Sequence, residues 1–129
     1  MSQYLLDTDV SINYLRGFEA TIRKVIEVGT SNIRLSEITV AELKYGAEKS
    51  NRPEFHRRRA NSFCAKFEIM PIFPVLDVFA SEKARFEKLG LRLDDFDLLI
   101  GSTAVHYGLV LVTNNVRHLE RMQHLTIEN

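Results

Sequence analysis

The sequence predicts an α/β fold, a three-layer α/β/α sandwich around a central parallel sheet of about four or five strands. Short apolar runs alternate with longer stretches of helical period along the whole chain, which implies parallel pairing through right-handed crossovers. Glycines stand just past several of the helical stretches, where a left-handed residue ends a helix. Leu109–Thr113 is continuously apolar almost to its end, as a strand buried on both faces must be.

In chain order, Gln3–Leu6 reads as a strand, followed by a helix from about Asp9 to Leu15. Glu19–Val28 places Ile22, Val25 and Ile26 at helical spacing and stops at Gly29. Ile33–Leu35 is the second strand. Ser36-Glu37 then opens a helix with Ile38, Ala41 and Tyr45 along one face and Gly46 near its end. Pro53 suits the first turn of the next helix, which is expected to run to about Phe67. Glu68–Phe73 is the third strand, and Leu76–Leu89 is a helix closed by Gly90. Phe96–Tyr107 is a largely apolar helix closed by Gly108, leading into Leu109–Thr113. A short helix at Val116–Met122 and a last strand at Leu125–Ile127 complete the pattern.

A chain of 129 residues, 45% hydrophobic and 26% charged, builds one domain, residues 1–129, with a core that needs no cross-links. No stretch approaches the roughly 18 apolar residues of a membrane span. Met-Ser-Gln runs almost directly into a strand, which predicts no signal peptide. The single cysteine, Cys64, excludes an internal disulfide and suits a reducing cytoplasm, where it reads as a small buried residue. Acidic and basic residues cancel at 17 each, so any nucleic-acid contact must come from local patches.

In open α/β sheets the functional crevice lies beyond the carboxyl ends of the strands. Four segments place acids or amides there. Leu5-Leu6-Asp7-Thr8-Asp9 turns from apolar strand to acid, hydroxyl, acid. Asp7 leaves the strand toward the crevice and Asp9 falls near the helix start, although both equally suit helix capping. Glu42 lies on the face of Ile38 and Tyr45, where a carboxylate needs a cation or hydrogen bonds unless it reaches water at the stripe's edge. Asp94 and Asp95 suit a helix start, whereas Asp97 shares a face with the small residues Gly101, Ala104 and Gly108 and is directed inward. Thr113, Asn114 and Asn115 follow the apolar strand; Thr113 and Asn115 supply a hydroxyl and an amide oxygen, or simply a turn.

Convergence of Asp7, Glu42 and Asp97 would bring together carboxylates that repel unless protons or a cation neutralise them. Oxygen ligands alone select a hard ion, Mg²⁺ or its substitute Mn²⁺. His56, His106, His118 and His124 show no ligand spacing and read as surface residues, so zinc is not expected. Of the basic residues, Arg117, His118 and Arg121 flank the Asn115 end of the crevice and are the preferred phosphate contacts. His56-Arg57-Arg58-Arg59 is the densest basic run; it reads either as a solvated helix face or as a surface for RNA or a protein partner.

Over its whole length the chain resembles PIN-domain ribonucleases, specifically VapC-type toxins of bacterial toxin–antitoxin pairs. The resemblance is carried by Leu5–Asp9, by Ser36–Ala47, by Asp97-Leu98-Leu99-Ile100-Gly101 and by Leu109–Asn115, in the family's order and spacing. It places the family's three acids on Asp7, Glu42 and Asp97, as metal-holding catalytic residues. Asp9, Thr113 and Asn115 take supporting places. Asn115 departs from the pattern, because many members carry Asp there, and the lost charge would hold any second metal weakly. Gly101-Ser102 stands where two alanines are common. The resemblance implies a cytoplasmic, Mg²⁺-dependent endoribonuclease, usually a homodimer, held inactive by a VapB-type antitoxin. Structured RNA such as tRNA is the substrate of several relatives.

Two other readings compete with this one. Asp7-Thr8-Asp9 after a strand also suits a phosphatase of the haloacid-dehalogenase type with an aspartyl nucleophile, but the late strand ends in Thr113-Asn114-Asn115, without that scheme's acidic pair. A catalytically decayed module binding RNA or protein is supported by Asn115 and opposed by the remaining acids.

Overall fold

The computed structural model describes residues 2–129; Met1, where the N-terminal expectation begins, lies outside them. Five strands form one parallel sheet: β1 (Tyr4–Leu6), β2 (Ile33–Ser36), β3 (Glu68–Met70), β4 (Val110–Val112) and β5 (Thr126–Glu128). Their spatial order is β3-β2-β1-β4-β5. The chain therefore steps outward from β1 in one direction, then returns to its other side with β4. That reversal between β1 and β4 is the switch point at which α/β sheets open a crevice.

Seven helices connect the strands: α1 (Thr8–Leu15), α2 (Glu19–Val28), α3 (Glu37–Lys49), α4 (Pro53–Cys64), α5 (Leu76–Lys88), α6 (Asp95–Tyr107) and the short α7 (Val116–Leu119). Successive strand residues point to opposite faces, so Leu5 and Leu6 enter two different cores. Leu6, Ile33 and Leu35 pack with Val10, Val25, Leu43, Ala60 and Phe63 of α1–α4. Leu5 and Leu111 pack with Phe86, Leu98, Ile100 and Ala104 of α5 and α6 and with Leu119 of α7. The three-layer sandwich is the one the alternating pattern predicts. Among the described residues no helix is long and apolar enough to cross a membrane.

Several boundaries differ from expectation, each for a local reason. β3 stops at Met70 rather than Phe73, because Pro71 has no N–H to continue a ladder. The next amide, Ile72 N–H, donates instead to Glu37 Oε1 at 2.7 Å, and Phe73 opens a 3₁₀ turn with its ring 80% exposed. Helix α4 ends at Cys64, three residues before Phe67, and burial there pushes the thiol's pKa up. Helix α7 ends at Leu119 and does not reach Met122.

The largest difference is the buried face of α3. It is Thr39, Leu43 and Ala47, at i, i+4 and i+8, and not the expected stripe of Ile38, Ala41 and Tyr45. Ala41 is exposed and Tyr45 is 65% exposed, because packing against α1 and α4 selects the neighbouring stripe. In α2, Val25 is buried whereas Ile26 is 71% exposed.

Helix α6 is the most buried helix, and the glycine within it and the glycine that caps it behave differently. Gly101 faces the loop after α7: a Cβ there would collide with Met122 Sδ and stand 3.3 Å from Leu119 Cδ2. Gly108, at φ +66°, closes the helix in the left-handed conformation. Ser102 is fully buried, and its hydroxyl has no hydrogen-bond partner among the described residues. An unpaired buried hydroxyl costs about 1–3 kcal/mol. Ser102→Ala is therefore expected to stabilise the fold by about 1 kcal/mol in urea unfolding; a loss of that size would show that the hydroxyl is satisfied after all.

Candidate active site

The chain leaves β1 at Leu6 and turns at once into α1, so Asp7 occupies the N-cap at the mouth of the switch point. Its extended backbone (φ −76°, ψ 175°) lets Oδ1 accept the Val10 N–H at 2.9 Å. Its Oδ2 accepts from the hydroxyl of Thr113, which directly follows β4, the strand paired with β1. The two sequence readings of Asp7 are thus both true: it caps α1 and it faces the crevice. Only 7% of it is exposed. Burial raises its pKa, the hydrogen bonds from Thr113 and Val10 oppose this, and the charges of Asp9 and Glu42 raise it further.

Glu42 rises from the second turn of α3, half-buried, and its partner is a hydroxyl. Thr8 Oγ1 donates to Glu42 Oε1 at 2.5 Å and lies 3.1 Å from Thr39 Oγ1. The expected apolar surroundings are therefore replaced by a Thr8–Thr39 pair, because the buried stripe lies one position away. Asp97 sits in the first turn of α6, half-buried. Its pKa is raised to about 6, mainly by burial and then by the negative charges of Asp94, Glu42, Asp7 and Asp9.

Asp7 and Glu42 thus lie near enough to Asp97 for their charges to raise its pKa, and every charge acting on Asp97 in this way is negative. The three acids do not form a closed ligand cage: among the described residues, no three His, Cys, Asp or Glu side chains converge tightly enough to hold one ion by themselves. Asp9 stands on the exposed side of α1 and contributes charge to the crevice rather than a contact.

Asn115 joins the two halves. Its N–H donates to Thr113 Oγ1 at 2.9 Å, and its side-chain Nδ2 lies 3.4 Å from Asp97 Oδ2. Its Oδ1 lies 2.7 Å from His118 Nδ1. Outside the crevice, Asp94 caps α6 through the Phe96 N–H at 3.1 Å, and Asp95 pairs with Lys83 at 3.0 Å, the capping and surface places expected of them. A groove of about 490 Å³ is lined by Thr8, Asp9, Glu42 and Tyr45 together with Arg16 and Arg59.

The basic residues are unequally free. In the His56–Arg59 run, Arg57 pairs with Glu48 at 2.7 Å and Arg59 donates to the Leu15 carbonyl, so part of the run is structural. Arg52 stacks over the Phe55 ring at 4.1 Å. Arg117 and Arg121 are exposed. Sequence reasoning passed over the Thr8 and Thr39 hydroxyls, and it took His118 as a phosphate contact rather than as a partner of Asn115. Thr8 had a signal, being enclosed by two acids. His118 had one too, since three residues along a helix from Asn115 is the same face.

Fold and crevice together define a class, an α/β/α protein with a carboxylate-lined switch point. The chain belongs to the PIN-domain family, whose model matches residues 4–125. Its relatives within that family are VapC proteins. Ribonuclease VapC2 of Haemophilus influenzae is 35% identical over 130 residues, covering 100% of this chain and 98% of the relative. The tRNA(fMet)-specific endonuclease VapC of Salmonella typhimurium is 32% identical with the same coverage. Among solved structures, DNA-bound VapBC from Salmonella typhimurium superposes with a TM-score of 0.92 at 32% identity, over 99% of this chain and 98% of that one. VapBC2 from Rickettsia felis, bound to a DNA fragment from its promoter, gives 0.91 at 28% identity, over 98% and 97%.

Proposed function

We propose that this chain is the ribonuclease toxin of a toxin–antitoxin pair, an endoribonuclease that works with a divalent metal at the Asp7–Glu42–Asp97 crevice. The observation that carries the reading is the end-to-end alignment of the chain with named VapC ribonucleases, supported by the hydrogen bonds that tie Asp7, Thr113, Asn115 and Asp97 together beside the switch point. The same relatives support RNA as the substrate, with tRNA as the first to try, and the VapBC complexes support a VapB-type antitoxin as partner. Homodimerisation and a cytoplasmic setting complete the reading.

The donor chemistry fits a hard ion. All the ligating atoms on offer are oxygens, and neighbouring acids help to raise the pKa of Asp7 and Asp97 with no cation among the causes. The lack of a closed cage also fits, because Mg²⁺ keeps several waters and takes only one or two carboxylates directly. Asp7, Glu42 and Asp97 would hold the ion, Mg²⁺ with Mn²⁺ as a substitute. When bound, it supplies a Lewis acid that activates water and offsets charge developing on the scissile phosphate.

The chain's own groups prepare the site. Thr113 and the Val10 N–H fix both oxygens of Asp7, so this carboxylate cannot rotate away. Thr8 fixes Glu42, whose free oxygen remains to orient the attacking water; exposed Asp9 is the other candidate for that role. Asn115 gives Asp97 a neutral neighbour in place of a fourth acid, which favours one ion over two. Arg117 and Arg121, on the α7 side, would meet the RNA backbone.

Activation of water requires no 2′-hydroxyl, so cleavage should leave 5′-phosphate and 3′-hydroxyl ends. The test is to map cut ends on total cellular RNA with Mg²⁺ and with EDTA. Metal-dependent cuts bearing those ends are expected; 2′,3′-cyclic phosphate ends, or equal cutting in EDTA, would overturn the metal-hydrolysis reading.

A further inference from the structure

We propose that His118 is a positioning residue of the acidic crevice, holding the Asn115 carboxamide in the single orientation that presents its NH₂ group to Asp97. The functional part of this inference rests on the nuclease reading above; the structural part does not.

An amide side chain is nearly symmetric about its last torsion, so its neighbours must choose which end is nitrogen. Here they choose unambiguously. Asn115 stands between Asp97 Oδ2 at 3.4 Å and His118 Nδ1 at 2.7 Å. While Asp97 is ionised its carboxylate can only accept, so the amide turns its nitrogen to Asp97. Its oxygen then faces the imidazole, and an amide oxygen also only accepts. His118 Nδ1 must therefore carry the hydrogen. The Nδ1–H form is the minor neutral tautomer of free histidine, and the site selects it.

The consequence reaches both acids. Through its side chain Asn115 touches Asp97, and through its N–H it engages Thr113 Oγ1, whose hydroxyl is donated to Asp7. Turning the amide over would set oxygen against carboxylate oxygen and drive Asp97 away from its place. His118 is exposed on a four-residue helix, so packing does not explain its presence beside Asn115. An outer partner of this kind typically carries a 10- to 100-fold share of activity or metal affinity, by order of magnitude.

The ring geometry supplies a discriminating set of variants. Asparagine places its Nδ2 where histidine has Nδ1, whereas glutamine places its donor where histidine has Nε2. His118→Asn should keep cleavage near the wild-type rate. His118→Gln and His118→Leu should lower kcat by about 10- to 100-fold with unchanged melting temperature. In ¹⁵N NMR of the full chain, neutral His118 should be the Nδ1–H tautomer, and the Asn115 side-chain NH₂ resonance should move in His118→Leu and stay in His118→Asn. An Nε2–H tautomer, or a His118→Leu protein that cuts RNA at the wild-type rate, would overturn the assignment. Failure of the wild-type protein to cut RNA would instead defeat the nuclease reading, while the tautomer and the Asn115 resonance still decide the role of His118.

Discussion

Asp97→Asn is expected to reduce RNA cleavage by about 10³-fold or more, since a metal-holding carboxylate supports several kcal/mol of charge stabilisation in the transition state. The fold should survive. Asp97 is half-buried among like charges, so a neutral amide of the same shape relieves repulsion, and its oxygen can still accept from Asn115. Asp7→Asn is expected to lose as much activity but is a less clean variant. Its amide nitrogen cannot accept the Thr113 hydroxyl, and that hydroxyl would have to turn. The comparison is made by measuring cleavage and thermal unfolding on the same preparations. A folded Asp97→Asn protein with full activity would remove this residue from the site.

The second large effect links metal to pH. Burial and neighbouring acids raise the pKa of Asp97 from 3.8 to about 6 and raise that of Asp7 as well. Both groups hold their protons more firmly in the folded chain than in the unfolded one. Their contribution to stability is complete below their ordinary value of 3.8; that of Asp97 is lost as pH rises through about 6, and that of Asp7 as pH rises through its own raised pKa. Above that range the crevice is charged and self-repelling, and it is there that a cation stabilises it. Mg²⁺ at roughly a hundred times its Kd should add about 2–3 kcal/mol at pH ~7.5. Toward pH ~5 protons displace the ion, and the gain should shrink to a small fraction of that. Thermal unfolding with and without Mg²⁺ at the two pH values measures this directly. An equal gain at both, or none at the higher pH, would show that the ion is not bound by these carboxyls.

Much of this was legible along the chain. Alternation of apolar runs and helical stretches is a local property, and it placed the strands and nearly all the helices within a few residues. Asp7, Glu42 and Asp97 stood out because each breaks an apolar segment at a place where the fold rule puts a crevice. Gly108 announces its turn through backbone chemistry alone, whereas the signal in Pro71 was read through, as a strand to Phe73. The face buried by α3 was not legible. Ile38/Ala41/Tyr45 and Thr39/Leu43/Ala47 are both acceptable stripes on an isolated helix, and only α1 and α4 decide between them.

By itself, then, the order of residues determined the layers of the fold and the acids that line its switch point, because hydrophobic period and strand-end position are read within a few residues. What waited for the tertiary structure was pairing across the chain: Thr113 on Asp7 over 106 positions, Thr8 on Glu42 over 34, and Asn115 on Asp97 over 18. Hydrogen bonds depend on distance and direction in space, and neither is encoded at any single position.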